Sequence, residues 1–108
     1  MVTGGIELQQ QDASFWLGPV ETSRACLLIH GFSGTPKELR TLANAIAAQG
    51  FRTYTVPLAG HTGNPDEMLR YGRKDWLASA EEGLAQLARY PHVFVVGFSM
   101  GGVLALQL

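Results

Sequence analysis

The chain has 108 residues, with 8 Lys+Arg against 9 Asp+Glu and a formal net charge of -1. That balance gives no electrostatic case for nucleic acid or an anionic membrane surface, and 46% hydrophobic residues is too many for disorder. No apolar run reaches the roughly 18–20 residues of a membrane span, residues 1–11 lack the basic cluster and apolar core of a secretory signal, and the lone Cys26 makes neither a disulfide nor a zinc cage. The expectation is therefore at most one domain, in a reducing cytoplasm, with no metal site.

Residues 1–13 are polar and weakly patterned, a loose lead-in. Ser14-Phe15-Trp16-Leu17, closed by Gly18-Pro19, reads as an edge strand. Ala25-Cys26-Leu27-Leu28-Ile29 is continuously apolar, as a strand buried on both faces of a parallel sheet must be. Thr35-Pro36-Lys37-Glu38 then fits a capping box, with Thr35 at the N-cap and Pro36 at the first helical position. Leu39, Leu42, Ala43, Ile46 and Ala47 share one face of the helix that follows, and Gly50 stops it. Residues 51–56 are rich in β-branched and aromatic side chains and form the next strand, ended by Pro57.

Residues 58–73 read as irregular. A second helix is expected over 75–89, with Trp76, Ala80, Leu84, Leu87 and Ala88 mostly on one face. His92-Val93-Phe94-Val95-Val96 is a further buried strand, residues 97–101 are a tight turn, and a third helix starts at Gly102. Alternating strands and helices of this kind specify an α/β fold, mostly parallel, with crossover helices. Three sharp turns, at His30-Gly31-Phe32, Gly60-His61-Thr62 and Gly97-Phe98-Ser99, then lie together at the carboxyl edge of the sheet, where such sheets bind ligands.

Gly97-Phe98-Ser99-Met100-Gly101 matches G-x-S-x-G between a strand and a helix. The spacing has a steric reason: Ser99 must project from a strained turn, and a Cβ at Gly97 or Gly101 would collide with the crossing elements. A serine nucleophile of acyl transfer also needs two backbone N–H donors for its tetrahedral oxyanion. The residue after the serine, Met100, supplies one, and the glycine loop after the earlier strand supplies the other, from Phe32, with Gly31 allowing close approach. The bland alternative is a Gly/Ser turn that merely joins a strand to a helix. A dinucleotide fingerprint fails because Ser99 replaces its middle glycine, and a phosphate loop fails because Gly34 is followed by Thr35-Pro36, so no cofactor is expected.

From about Cys26 to Leu108 the chain resembles the N-terminal part of an α/β hydrolase, nearest the bacterial carboxylesterase and monoacylglycerol lipase group. The residues that carry the resemblance are Leu28-Ile29-His30-Gly31-Phe32-Ser33-Gly34-Thr35-Pro36, Pro57-Leu58-Ala59-Gly60-His61, Asp75-Trp76 and Gly97-Phe98-Ser99-Met100-Gly101-Gly102. The resemblance implies Ser99 as nucleophile of a nucleophile elbow and the N–H groups of Phe32 and Met100 as the oxyanion hole. It implies an ester substrate, with Phe98 and His61 at the substrate. Where relatives read Gly-His-Gly, this chain has Gly60-His61-Thr62.

The triad order is serine, acid, histidine, yet residues 100–108 hold neither an acid nor a histidine. His30 is expected to hydrogen-bond loop backbone, and His92 lies at the wrong end of its strand. The expectation is a partial domain, cut in the helix after the serine, whose intact form is a carboxylesterase or monoacylglycerol lipase and whose 108 residues alone are inactive. The alternatives are a non-catalytic interaction fragment and a related thioesterase.

Overall fold

The computed structural model describes residues 14–31, 36–61 and 65–108. Strand β1 is Phe15–Leu17, β2 is Arg24–Ile29, β3 is Arg52–Val56 and β4 is His92–Gly97. They form one sheet in the order β1-β3-β2-β4. β2 pairs in parallel with β3 on one side and β4 on the other, while β1 runs antiparallel along β3. The mostly parallel α/β expectation is met, with β1 as the edge strand read from its short apolar run.

The unbroken apolar run of β2 follows from its central place. No residue from Ala25 to Ile29 is more than 2% exposed. Alternate side chains feed two cores. Ala25, Leu27 and Ile29 pack with Val56, Leu58, Ala80, Leu87 and Leu104. Cys26 and Leu28 pack on the other face with Leu39 and Ala43.

The first helix departs from expectation at its start. Pro36–Leu39 is a 3-10 turn, and the α-helix α1 covers only Arg40–Ala47. A 3-10 turn stacks residues three apart, and Pro36 and Leu39 are the two buried residues of this one. Leu42, expected on the inner face, lies on its rim and is 42% exposed. Thr35 lies outside the described residues. Gly50 ends the segment at φ +92°, as a left-handed stop should.

A short helix, α2, Pro65–Met68, interrupts the stretch read as irregular. Helix α3 covers Arg73–Ala85 rather than 75–89. It starts earlier because the Asp75 carboxylate accepts the Gly72 N–H at 2.9 Å. It ends earlier because the N–H groups of Leu87, Ala88 and Tyr90 bond carbonyls three residues back. Ala88 is consequently exposed while Leu87 remains in the core. β4 is also less buried than its sequence suggests, with Phe94 51% exposed. Among the described residues it pairs with β2 alone, and only the seven-residue helix α4, Met100–Leu106, follows it. No helix among the described residues is long and apolar enough to cross a membrane.

Two tight contacts hold the carboxyl edge. At Gly101, α4 sits so close to β2 that a Cβ would overlap the Ile29 carbonyl. At His30, just beyond β2, Nε2 accepts the Leu58 N–H at 3.0 Å and Nδ1 lies 2.9 Å from the Gly31 oxygen. A carbonyl only accepts, so Nδ1 carries the proton and Nε2 is bare: the ring is neutral, in one tautomer. Burial holds its pKa below the ordinary value, and His61 acts in the same direction, against the Gly31 hydrogen bond and Glu38.

Gly101→Ala should therefore destabilise the fold by about 1–3 kcal/mol or more, because backbone rather than a side-chain tip must move; chemical denaturation measures it. The His30 pKa is lowered on folding, so its contribution to stability is present above the unfolded histidine value of about 6.5 and is lost as pH falls below it. Stability should decline by up to about 1.4 kcal/mol per pH unit from this group in the acid range. Urea titrations from pH 7.5 to 5 should show a shallower decline in His30→Gln than in the parent chain.

Candidate active site

The sheet order sends its connections to opposite faces at one point. From the end of β2 the chain passes to the 3-10 turn and α1, which cover the Cys26–Leu28 face. From the end of β4 it passes to α4, whose Leu104 lies in the opposite core. The loops after two adjacent parallel strands thus diverge to opposite faces. Such a switch point opens a crevice outside the carboxyl ends of the strands. Gly31 and Ser99 flank it.

Ser99 has φ 59° and ψ −118°. Those angles belong to the first central residue of a type II′ turn, a position dominated by glycine. The Gly101 N–H donates to the Phe98 carbonyl at 2.9 Å and closes that turn. Ser99 is the only non-glycine residue with positive φ among those described. A strained backbone of this kind costs about 1–3 kcal/mol and persists only where its surroundings enforce it.

Those surroundings are visible. The Phe98 N–H donates to the Ile29 carbonyl at 3.0 Å, tying the turn to β2. A Cβ on Gly97 would overlap the Gly101 carbonyl. The glycines read from the motif are therefore required by contact. Gly31 is tight to a lesser degree: its Cβ would lie 3.4 Å from Ser99 Cβ and 3.2 Å from the Phe98 carbonyl oxygen.

The strain directs the hydroxyl. Serine at a helix N-cap ordinarily accepts a backbone N–H of the first turn. Ser99 occupies the N-cap of α4 and makes no such bond. Its side chain is not absorbed by the helix, and the residue is exposed. Met100 opens α4, at the end where backbone N–H groups lack intrahelical acceptors. Phe98 is 66% exposed beside it. Phe32, expected as the second donor, lies outside the described residues.

The other titratable groups are placed differently. His92 opens β4, opposite Arg24 in the register and six residues before Phe98, so it sits at the far end of the sheet. His61 is 3% exposed, its ring centroid 5.1 Å from that of His30 and 5.7 Å from that of Trp76. Its Nδ1 donates to the Ala59 carbonyl at 3.1 Å. Cys26 is buried, and burial pushes its thiol up to about 11, so it is no nucleophile at neutral pH. The described residues contain no group of three or more His, Cys, Asp or Glu able to hold a metal ion.

One contributor, Ser79, escaped the sequence reading, as did the contact that Trp76 makes. Ser79 Oγ accepts the Ala59 N–H at 3.0 Å and donates to the Asp75 carbonyl at 3.0 Å. Trp76 Nε1 donates to the Ala59 carbonyl at 3.0 Å. Together they clamp the loop after β3. The available signal was that Asp75, Trp76 and Ser79 lie within one helical turn, but their partner is backbone and has no sequence signature.

Comparison with known proteins agrees with this geometry. Residues 26–108 match the model of an alpha/beta hydrolase family. The chain is 45% identical over 92 residues to a thermostable monoacylglycerol lipase of Bacillus sp. (strain H-257), covering 84% of this chain and 35% of that protein. It is 31% identical over 87 residues to a carboxylesterase of Bacillus subtilis (strain 168), covering 79% and 35%. A solved structure reported for the metagenome-derived lipolytic enzymes LipS and LipT superposes with a TM-score of 0.81 at 31% identity, covering 89% of this chain and 39% of that one. The chain thus spans about a third of the length of the curated relatives it matches. With the family match running from β2 to the last residue and a strained serine turn at the switch point of its sheet, the chain belongs to the alpha/beta hydrolase family.

Proposed function

We propose that this chain supplies the nucleophile and oxyanion hole of a serine hydrolase acting on carboxylic esters. The observation that carries the reading is Ser99, held at φ 59° at the N-cap of α4 without capping it. A hydroxyl kept out of the helix, at the crevice and beside Gly31, is placed to attack a carbonyl.

In this mechanism Ser99 Oγ adds to the ester carbonyl and its proton passes to a general base. The tetrahedral oxyanion is held by the N–H groups of Met100 and Phe32. Collapse expels the alcohol and leaves an acyl-serine, which water then cleaves by the same steps. Histidine as base and an acid to orient it complete the triad. Residues 100–108 contain neither, so this reading places both outside the 108 residues and expects the isolated chain to be inactive.

Ester chemistry is supported by the Bacillus relatives, which are a monoacylglycerol lipase and a carboxylesterase. The exposed Phe98 offers an apolar surface to an acyl chain, which favours short-to-medium acyl esters or monoacylglycerols. The single cysteine fits a reducing compartment, and we place the protein in the cytoplasm.

The test is made on the intact enzyme that carries this chain. A fluorophosphonate probe should label Ser99, and Ser99→Ala should lower kcat for nitrophenyl esters by about 10⁶-fold with the fold retained. Labelling at Ser33, or turnover surviving Ser99→Ala, would overturn the assignment. Gly31→Val should lower kcat by about 10²–10³, because a larger residue beside Phe98 and Ser99 displaces one oxyanion donor.

A further inference from the structure

The clamp on the loop after β3 connects to the Gly31 carbonyl through two sets of hydrogen bonds joined by the backbone of Leu58 and Ala59. Ser79 and Trp76 hold Ala59 on both sides of its Cα, Ser79 taking its N–H and Trp76 donating to its carbonyl, which lie in two successive peptides. His61 Nδ1 donates to the same carbonyl, using its second lone pair. The neighbouring peptide N–H, that of Leu58, is thereby presented to His30 Nε2 at 3.0 Å. With Nε2 occupied, the only proton of the His30 ring sits on Nδ1 and is given to the Gly31 carbonyl at 2.9 Å.

Peptide planarity makes the last bond consequential. The direction of the Gly31 carbonyl sets the direction of the N–H at the other end of that amide. A hydrogen bond at the carbonyl also polarises the amide and strengthens its N–H as a donor.

We propose that Trp76 and Ser79 are positioning residues for the oxyanion hole, acting on the Gly31 peptide through Ala59, Leu58 and the tautomer of His30. The inference rests on the ester-hydrolase reading of the site and adds to it a role for α3, which touches neither Ser99 nor Gly31 in the hydrogen bonds described. The three members are buried or half-buried, so water does not readily substitute for a lost partner: His30 is 1% exposed, and Trp76 and Ser79 are half-buried. Asp75 belongs to the same device at one remove, since its carboxylate fixes the start of α3 and its carbonyl receives the Ser79 hydroxyl proton.

The experiment compares Ser79→Ala, Ser79→Thr and Trp76→Phe in the intact enzyme, with nitrophenyl ester kinetics and the imidazole N–H region of the proton NMR spectrum. Ser79→Ala and Trp76→Phe should each lower kcat by about ten-fold, less than outright loss of a donor, while KM stays within about two-fold. The His30 Nδ1–H resonance should exchange faster in both. Ser79→Thr, which keeps a hydroxyl, should restore kcat and the resonance. Unchanged kcat in both variants, or a lowered kcat with an unaltered His30 resonance, overturns the proposal. Turnover that survives Ser99→Ala removes the ester reading instead. In that event the His30 resonance still decides whether α3 controls the Gly31 peptide, and an unaltered one overturns that too.

Discussion

The carboxyl edge of this sheet depends on how closely α4 can approach β2. Gly101 has no Cβ, and the space one would need is taken by the Ile29 carbonyl. Because α4 sits that low, the chain has only two residues, Phe98 and Ser99, between the end of β4 and the start of the helix. The type II′ geometry at Ser99 is the outcome, closed by the Gly101 N–H on the Phe98 carbonyl and tied to β2 by the Phe98 N–H. Gly97 clears the same crossing from the other side. Strain at one residue is thus enforced by backbone contacts at three, all anchored on the most buried strand.

The second constraint runs sideways, from β2 to the loop after β3. His30 bridges them with both ring nitrogens, and α3 holds the far side of that loop through Ser79 and Trp76. The type II pattern at residues 58–61, with Gly60 at φ +77° and the His61 N–H on the Leu58 carbonyl, lets the loop turn within the clamp. Two loops from different strands are therefore one mechanical unit, and the neutral state of His30 is part of how they are joined.

Much of this was legible in the sequence because it rests on periodicity and sterics. The run Ala25 to Ile29 could only be a doubly buried strand, and G-x-S-x-G between strand and helix could only be a tight turn. Gly50 and Gly97 named their own positions. What escaped were features decided by tertiary contact. Whether residues 36–39 wind as 3-10 or α depends on burying Pro36 and Leu39 together, and local capping signals do not carry that information. The exposure of Phe94 depends on which strands flank β4, which its own apolar composition cannot report. Ser79 is an ordinary helical serine until the Ala59 peptide arrives beside it.

The turn at Ser99 also says something about the demands this polypeptide meets. Its backbone angles are those for which glycine is the natural occupant, and any side chain there works against the folded state. A chain shaped by the need for a firm fold alone would settle on glycine at this position and gain stability at no loss in packing, since the serine side chain neither caps the helix nor fills the core. On the proposed serine-hydrolase reading, the hydroxymethyl group that stands there instead trades robustness for chemistry at a single Cα.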